Sequence, residues 1–275
     1  MRNKQNGLEN KETHPTLPST LYTEEYFLTA CEGHVEFVES EGEQLSRRLA
    51  SVLDVASIEP GMILLDVGCG RGEVLRHCAQ LGADIVGIDY ALVAVTMTRE
   101  LIARANDTTG TLGAAQADAK NLPFPTEHFD QVFMFDVVEH LYPWELDQAL
   151  REVRRVLKPG GKFVVHTAPN RWYDRYAYPL VRMVRHLMGQ GTRYPKNPRQ
   201  FGVGVNQHVH VNEQDILSLR RTLRRAGFRS KVWLETPPQQ RDEGVLLAAL
   251  RHVAFNWPPF RLFFEREVFA IATKV

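Results

Sequence analysis

The feature that most constrains the fold is a beat of strand, turn and helix repeated from residue 63 to residue 169. It reads "ILLDVG", "EVLRHCAQLG", "DIVGIDY", "ALVAVTMTRELIARA", "LGAAQAD", "FDQVFMFDVV", "PWELDQALREVRRVL", "KPGG" and "KFVVHTAP". The strand segments are nearly continuous in apolar residues, as strands buried on both faces require. Five such segments joined by amphipathic helices predict an α/β fold with a mostly parallel sheet and helices on both faces. No internal repeat is visible. The beat breaks after Pro169, and residues 171–207 are too long for an ordinary connection and rich in Arg, Tyr, Gly and Pro. They read as a lid or substrate insertion after strand 5.

The remaining chain divides around that core. Residues 1–20 are polar with no apolar h-region, so they read as a disordered tail rather than a secretory signal. Residues 21–60 read as an N-terminal helical cap, residues 61–170 as a ligand-binding core, and residues 208–275 as a C-terminal half with an insertion at 237–267 that holds "WPPF". Together, 21–275 form one domain. Thirty-three basic residues balance thirty-three acidic ones, so there is no global field to draw the chain onto nucleic acid or an anionic surface. Three cysteines, Cys31, Cys69 and Cys78, lack paired metal spacing and suit a reducing, cytoplasmic compartment. The run Val245–Phe255 is too short and too polar to span a membrane.

The turn "LLDVGCGRGEVL" (Leu64–Leu75) narrows the ligand. Glycines between a first strand and its helix let a ligand approach the backbone, and the helix N-terminus favours anionic groups. A dinucleotide fingerprint spaces its glycines G-x-G-x-x-G; here they fall at Gly68, Gly70 and Gly72, with Glu73 at the third glycine's place, where it would repel a pyrophosphate. No G-K-[ST] follows, so a Walker-type phosphate loop is excluded. Asp89, 23 residues beyond Asp66, ends the second strand and suits ribose hydroxyls, a property that fits NAD as well. Asp118 ends the third strand at the same edge, in reach of an adenine amino group. The pocket these acids describe suits adenosine with a zwitterionic tail.

With those residues in view, the chain resembles the class I S-adenosylmethionine-dependent methyltransferases. The likeness runs from Gly61 to Asn170 on "LLDVGCGRG", "GIDYA", "QADAKNLPFPTEHFD", the "EHL" ending of "FDVVEHL" and "RVLKPGGKFVV", in that order. It implies a Rossmann-like seven-stranded sheet whose last strand, the closing "VFAIATKV", is antiparallel. It implies S-adenosylmethionine as cofactor and S-adenosylhomocysteine as product. By the same likeness Gly68, Cys69 and Gly70 lie against the methionine tail, Asp66 supports the loop and the ammonium, Asp89 holds the ribose, and Tyr90 packs on adenine. Asp118 and Ala119 then meet the adenine edge, and Phe135 lies at the cofactor from the fourth strand. Gly72 is open between ligand contact and helix packing. Cys69 and Cys78 are otherwise expected to be inert packing residues.

The reacting groups are less sharply indicated. Methyl transfer from a sulfonium depends on alignment and desolvation, with a base needed chiefly for an alcohol acceptor. Asp136, Glu139 and His140 stand at i, i+3 and i+4, a spacing that on a helical turn shares one face. It resembles the metal-binding acid-x-x-Glu-His of ubiquinone-pathway O-methyltransferases and small-RNA 2′-O-methyltransferases, with Asp136 where those carry Glu. A divalent ion is not favoured, because "EHL" recurs in family members that use none. In "QHVHVNE", His208 and His210 alternate with Val209 and Val211 as on a short strand and point the same way. His208 or His210 is the candidate acceptor-site base, against a hydrogen-bonded structural pair; His140 is a further catalytic candidate, which with Glu139 also reads as fixing the loop through hydrogen bonds.

The lid offers further signals. Leu180, Val181, Met183, Val184, Leu187 and Met188 lie at helical spacing opposite Arg182, Arg185 and His186, which predicts a helix packed on the core with solvated basic residues. A membrane-surface helix is the less favoured reading. Trp172, Tyr173, Tyr176 and Tyr178 can line an apolar pocket or form the lid's own core. Arg171, Arg175, Arg193, Lys196 and Arg199 make the segment locally basic. Tyr22, Tyr26 and Phe27 are placed on an amphipathic N-terminal helix that either closes over the cofactor or simply packs on the core. The expected function is O-methylation of a small molecule such as a saccharide, glycolipid precursor or secondary metabolite, with no nucleic-acid partner. The alternatives are a metal-assisted 2′-O-methyltransferase and a non-catalytic S-adenosylmethionine-binding regulator.

Overall fold

The computed structural model describes residues 14–200, 206–235 and 245–275. Seven strands form one sheet: β1 (Ile63–Val67), β2 (Asp84–Asp89), β3 (Leu112–Gln116), β4 (Phe129–Phe135), β5 (Leu157–Thr167), β6 (Phe228–Leu234) and β7 (Val268–Lys274). Their order is β3-β2-β1-β4-β5-β7-β6, with β1 to β5 paired in parallel and β7 antiparallel to both β5 and β6. This is the Rossmann-like sheet expected from the strand-helix beat, including its antiparallel last strand. The "KPGG" turn appears inside the start of β5, where the pairing with β4 shifts register between Phe129 and Gln131.

Eleven α-helical segments accompany the sheet among the described residues. They are α1 (Glu24–Thr29), α2 (His34–Ser40), α3 (Arg47–Ala56), α4 (Glu73–Gln80), α5 (Leu92–Arg104), α6 (Pro143–Val156), α7 (Tyr178–Leu187), α8 (Asn206–Val209), α9 (Ile216–Arg225), α10 (Val245–Asn256) and α11 (Phe260–Phe264). The two sheet faces carry separate cores. One gathers Val132, Met134, Phe163 and Val165 against Leu146, Leu150 and Val153 of α6 and Leu219 and Leu223 of α9. The other sets Leu64, Phe133 and Val164 against Val52 and Leu53 of α3 and Leu75 and Ala79 of α4. Alternate residues of β4 thus feed opposite cores, the period-2 rule of a strand covered on both sides.

Two expectations need correction or narrowing. Residues 1–13 of the expected tail lie outside the described residues, but from His14 onward the chain packs on α6: Thr16 donates to Glu145 at 2.7 Å and Trp144 donates to the Pro15 carbonyl at 2.9 Å. In α7 the apolar face expected to sit on the core faces out, with Leu180, Met183, Leu187 and Met188 exposed by 47%, 53%, 79% and 50%. The guanidinium groups turn toward protein instead. Arg182 donates to the Tyr194 carbonyl at 3.1 Å and Arg185 to the Gln190 side chain at 3.0 Å, so the segment following α7 takes the helix's polar side. Of the insertion expected at 237–267, residues 237–244 lie outside the described residues, and the rest forms α10, α11 and the approach to β7.

Candidate active site

The carboxyl ends of β1, β2, β4 and β5, with the loop after β3, open into one cavity of about 620 Å³, within the usual range for small-molecule sites. Its floor is the glycine turn after β1. Gly68 takes φ +85°, and a Cβ there would lie 2.3 Å from Val137 Cγ2. Gly70 takes φ +53° and would meet only the Phe27 ring, at 3.7 Å, so the backbone at this point is bare toward the cavity. Gly72 lies away from it. A Cβ there would sit 2.8 Å from Thr98 Cγ2, which decides its open role in favour of helix packing. Cys69 lines the cavity while its thiol, pushed up by burial, rests 3.6 Å from Thr98 Oγ1. Gly87, which the sequence did not single out, makes that possible, since a Cβ on it would come within 2.7 Å of Cys69.

Asp66 and Asp89 stand at the ends of β1 and β2 as expected, whereas β3 stops at Gln116 and Asp118 stands two residues further on, in the loop after it. Asp66 is 2% exposed, lines the cavity, and no hydrogen-bond donor among the described residues reaches it. Burial, reinforced by Glu73 and Asp89, pushes its carboxyl up to about 8. A buried carboxylate facing open space without a cation calls for one, which fits the ammonium of an amino-acid tail. Asp89 accepts from the Ala91 N–H at 2.8 Å and the Gly70 N–H at 3.1 Å, so it ties the glycine turn to β2. Burial lifts it to about 6 against those bonds. Each of its oxygens keeps a lone pair for a ribose hydroxyl. Asp118 forms a turn through the Lys120 N–H at 2.9 Å and an ion pair with Lys120 Nζ at 3.0 Å. Ala119, Phe135 and the half-exposed ring of Tyr90 also line the cavity. Residues and cavity therefore fit S-adenosylmethionine.

The cap closes the opposite wall. Tyr22, Tyr26 and Phe27 line the cavity with the loop Cys31–Gly33. Arg71, hidden in the glycine turn and missed by sequence reasoning, fastens them. It is 3% exposed, donates to the Phe27 carbonyl at 2.6 Å and to the Glu32 carbonyl, and pairs with Glu73. Glu73, which the motif suggested as a barrier to pyrophosphate, therefore also anchors the residue that holds the cap. The only sequence signal was an Arg and a Glu two residues apart beside a ligand turn.

The expected trio Asp136, Glu139 and His140 does not converge. Asp136 adopts φ +53° ahead of the tight turn Val138–His140, and this left-handed step rotates its carboxylate away. It instead accepts from His166 Nδ1 at 2.8 Å and pairs with Arg48 at 3.4 Å. Arg48 also reaches Glu32 and Glu267, each at 3.3 Å, so one guanidinium ties α3 to the cap loop, β4 and the approach to β7. Glu139 and His140 meet His210 instead, with one ligand-capable atom from each within 4.8 Å of the others. His208 and His210 do not share a face as on a strand: Asn206–Val209 forms a helical turn that leaves His208 exposed and outside the cavity, while His210 lines it.

Each member of this group has a distinct state. Glu139 accepts from Thr167 at 2.7 Å, and its backbone carbonyl takes the Val211 and Asn212 N–H groups at 2.9 and 3.0 Å. Burial and the nearby Asp136 charge raise its carboxyl to about 7. His140 is driven down to about 3 by burial and by His210, so it is neutral. Its Nδ1 lies 3.3 Å from the Tyr22 hydroxyl, and it also bonds the Val209 backbone. An ion at this group would have to displace one of those partners from His140. His210 is raised above the ordinary imidazole value by Glu213 and Glu139, which outweigh its burial. Its ring stands edge-on to His140 with centroids 5.0 Å apart.

Comparison with known proteins agrees with this geometry. Residues 65–165 match a family model described as "Methyltransferase domain". The chain is 32% identical over 149 residues to the "Ubiquinone/menaquinone biosynthesis C-methyltransferase UbiE" of Laribacter hongkongensis, covering 50% of this chain and 58% of that protein. It is 30% identical over 162 residues to "Sterol 4-C-methyltransferase strm-1" of Caenorhabditis elegans, covering 56% and 48%. It spans about half the length of the curated relatives it matches. Among solved structures, the complex of the Haloferax volcanii Trm112 methyltransferase activator with a methyltransferase aligns with TM-score 0.60 and 17% identity over 91% of this chain and 98% of that one. The geranyl diphosphate C-methyltransferase of Streptomyces coelicolor A3(2) aligns with TM-score 0.55 and 14% identity over 83% and 77%. These likenesses show the shared fold. With the glycine turn and the three acids in their places, the chain carries a class I S-adenosylmethionine-dependent methyltransferase domain.

Proposed function

We propose that this protein transfers a methyl group to a hydroxyl of a small, largely apolar acceptor, with His210 as the base. The observation that carries the reading is the meeting of Glu139, His140 and His210 at the cavity wall, after β4, which lies on the other side of β1 from β2 and β3 with Asp89 and Asp118. S-adenosylmethionine supplies an electrophilic methyl that needs no further activation. Asp66 receives the ammonium, Asp89 the ribose and Gly70 the close approach of the tail, which leaves the sulfonium side facing the histidines. Tyr26 and Phe27 exclude water over it, which strengthens each electrostatic contact inside.

An alcohol or phenol gains nucleophilicity as its proton leaves, so the base must stand beside the acceptor and be free to receive it. His140 is held neutral and occupied by Tyr22 and Val209, so it positions the group rather than titrating. His210 takes the proton, and Glu139 and Glu213 stabilise the resulting imidazolium. Methylation at carbon is the second reading, favoured by the names of the curated relatives, which are C-methyltransferases. The same base serves it, since deprotonating a phenol also activates the adjacent ring carbon. Transfer of a labelled methyl to hydroxylated apolar acceptors, with the product's methyl resonance read by NMR, separates O–CH3 from C–CH3. Failure of any hydroxylated acceptor to take label, with S-adenosylhomocysteine still bound, would remove the proposal.

A further inference from the structure

We propose that the outer face of the lid, built by α7 and the α10–α11 turn, is a docking surface for an anionic lipid bilayer. The proposal goes beyond methyl transfer and does not depend on which acceptor is used. Ten of the seventeen exposed large apolar side chains among the described residues fall between 176 and 188 or between 250 and 262. They are arranged, not scattered. Leu180, Met183 and Leu187 recur at intervals of three and four along α7, which puts them on one stripe of the helix; Tyr176 stands on the turn just before it, and all four face solvent. Trp257, at 61% exposure, and Phe260, at 48%, stand on the neighbouring turn. Phe263 of α11 packs on the segment that leads into α7, with ring centroids 5.9 Å from Trp172 and 5.7 Å from Tyr176. A cluster of exposed apolar side chains of this kind marks an interaction site.

Charge identifies the occupant. The chain as a whole is neutral, yet residues 171–200 hold seven Lys and Arg against a single acid, Asp174. Arg175, Arg193 and Lys196 of that segment are exposed. Arg193 and Lys196 lie on the segment that takes the polar side of α7, and an apolar stripe with a basic opposite side suits the interface of an anionic membrane, where the helix lies in plane with its apolar side among the acyl chains. No described helix is long and apolar enough to cross a membrane, so this contact lies on the bilayer. A second copy of the chain fits less well. A twofold contact through this face would set the basic segment against itself, and like charges across an interface oppose association. The start of the lid adjoins the cavity: Arg266, on the cavity wall, lies 5.2 Å from the Tyr173 ring.

The test is co-sedimentation of the full chain with vesicles of phosphatidylcholine alone or with one third phosphatidylglycerol, at low and high salt. Binding is expected to the anionic vesicles, weaker at high salt, and at least tenfold weaker for the Met183→Glu, Leu187→Glu double variant. Arg193→Glu with Lys196→Glu is expected to remove the preference for anionic lipid. S-adenosylhomocysteine binding by both variants serves as the folding control. Equal sedimentation with both vesicle types, or none with either, would overturn the proposal. So would a stable dimer in solution that the Met183→Glu, Leu187→Glu protein no longer forms, because it would assign the face to a second copy.

Discussion

His166 Nδ1 lies 2.8 Å from the carboxylate of Asp136, with His166 buried and Asp136 on the cavity wall. Opposite charge outweighs burial for each partner. Asp136 and the Glu267 contact raise His166 to about 9, and His166 with Arg48 holds Asp136 below the usual carboxylate range. The His166 contribution is therefore complete below the ordinary imidazole value of 6.5 and is lost as pH rises through about 9. The Asp136 contribution is present above about pH 4 and is lost as pH falls further. Stability from this pair is expected to be greatest between about pH 4 and 6.5 and to decline on the alkaline side. His166→Leu is expected to cost about 3 kcal/mol at pH 6, at the low end for a broken buried pair because Arg48 remains beside Asp136. Urea unfolding across pH checks both, and an unchanged alkaline slope in the variant would contradict the assignment.

Gly68 and Val137 are placed so that neither can grow. Gly68→Ala adds a Cβ 2.3 Å from Val137 Cγ2 on a left-handed backbone. It is expected to destabilise by about 1–3 kcal/mol and to weaken S-adenosylhomocysteine binding as the turn shifts. Val137→Ala in the same chain relieves the overlap but not the φ strain, so it is expected to restore part of the stability and not all. Thermal melts of the two proteins decide this; full recovery in the double variant would show that the backbone angle costs nothing.

Arg71 carries the cap. Arg71→Met removes the donors to the Phe27 and Glu32 carbonyls and leaves Glu73 buried without its partner. A loss of about 3–5 kcal/mol is expected, together with faster proteolysis in residues 22–36. Equal proteolysis rates with and without the substitution would show that the cap is held by packing alone.

How much of this was legible in the sequence follows from the range of the interactions. The strand-helix beat and the three acids were readable because a parallel strand, its turn and its helix are local in sequence, and each acid stands at or just beyond a strand's carboxyl end. Asp136 was misplaced because spacing at i, i+3 and i+4 assumes a helical backbone, and one left-handed residue cancels it. His208 and His210 misled for the opposite reason: alternation implied a strand where the chain makes a helical turn. Arg71 and Arg48 reach residues 39 and 219 positions away, Glu32 and Glu267, and no local pattern announces such partners. For α7, periodicity revealed the apolar stripe but not whether the protein or the surroundings receive it.

Asp66 makes cofactor binding a proton-linked event. With its carboxyl at about 8 in the empty cavity, it is largely protonated at pH 7, and contact with an ammonium requires the charged form. Binding of S-adenosylhomocysteine is therefore expected to release close to one proton at pH 7 and to tighten by up to about tenfold per unit as pH rises from 6.5 toward 8. That range lies above the titration of Asp89 at about 6, which separates the two acids. Calorimetry in buffers of different ionisation heat measures the proton directly. Asp66→Asn is expected to weaken binding and abolish the pH slope; a wild-type affinity flat over this range would rule out the role.

His210 is the last link between cavity and chemistry. As a base it acts only when unprotonated, and Glu213 and Glu139 hold it above the ordinary imidazole value. The rate is therefore expected to climb with pH on a limb displaced to the alkaline side of 6.5. His210→Ala is expected to lower kcat by about 10²–10⁴-fold, the span of a lost general base, while S-adenosylhomocysteine binding stays as it was. His208→Ala, at an exposed position outside the cavity, is expected to change neither. EDTA is expected to leave turnover intact, because Tyr22 and Val209 already occupy His140. Loss of turnover on chelation, restored by a divalent ion and absent from the response of a Glu139→Gln variant, would instead make Glu139, His140 and His210 ligands and relieve His210 of the proton.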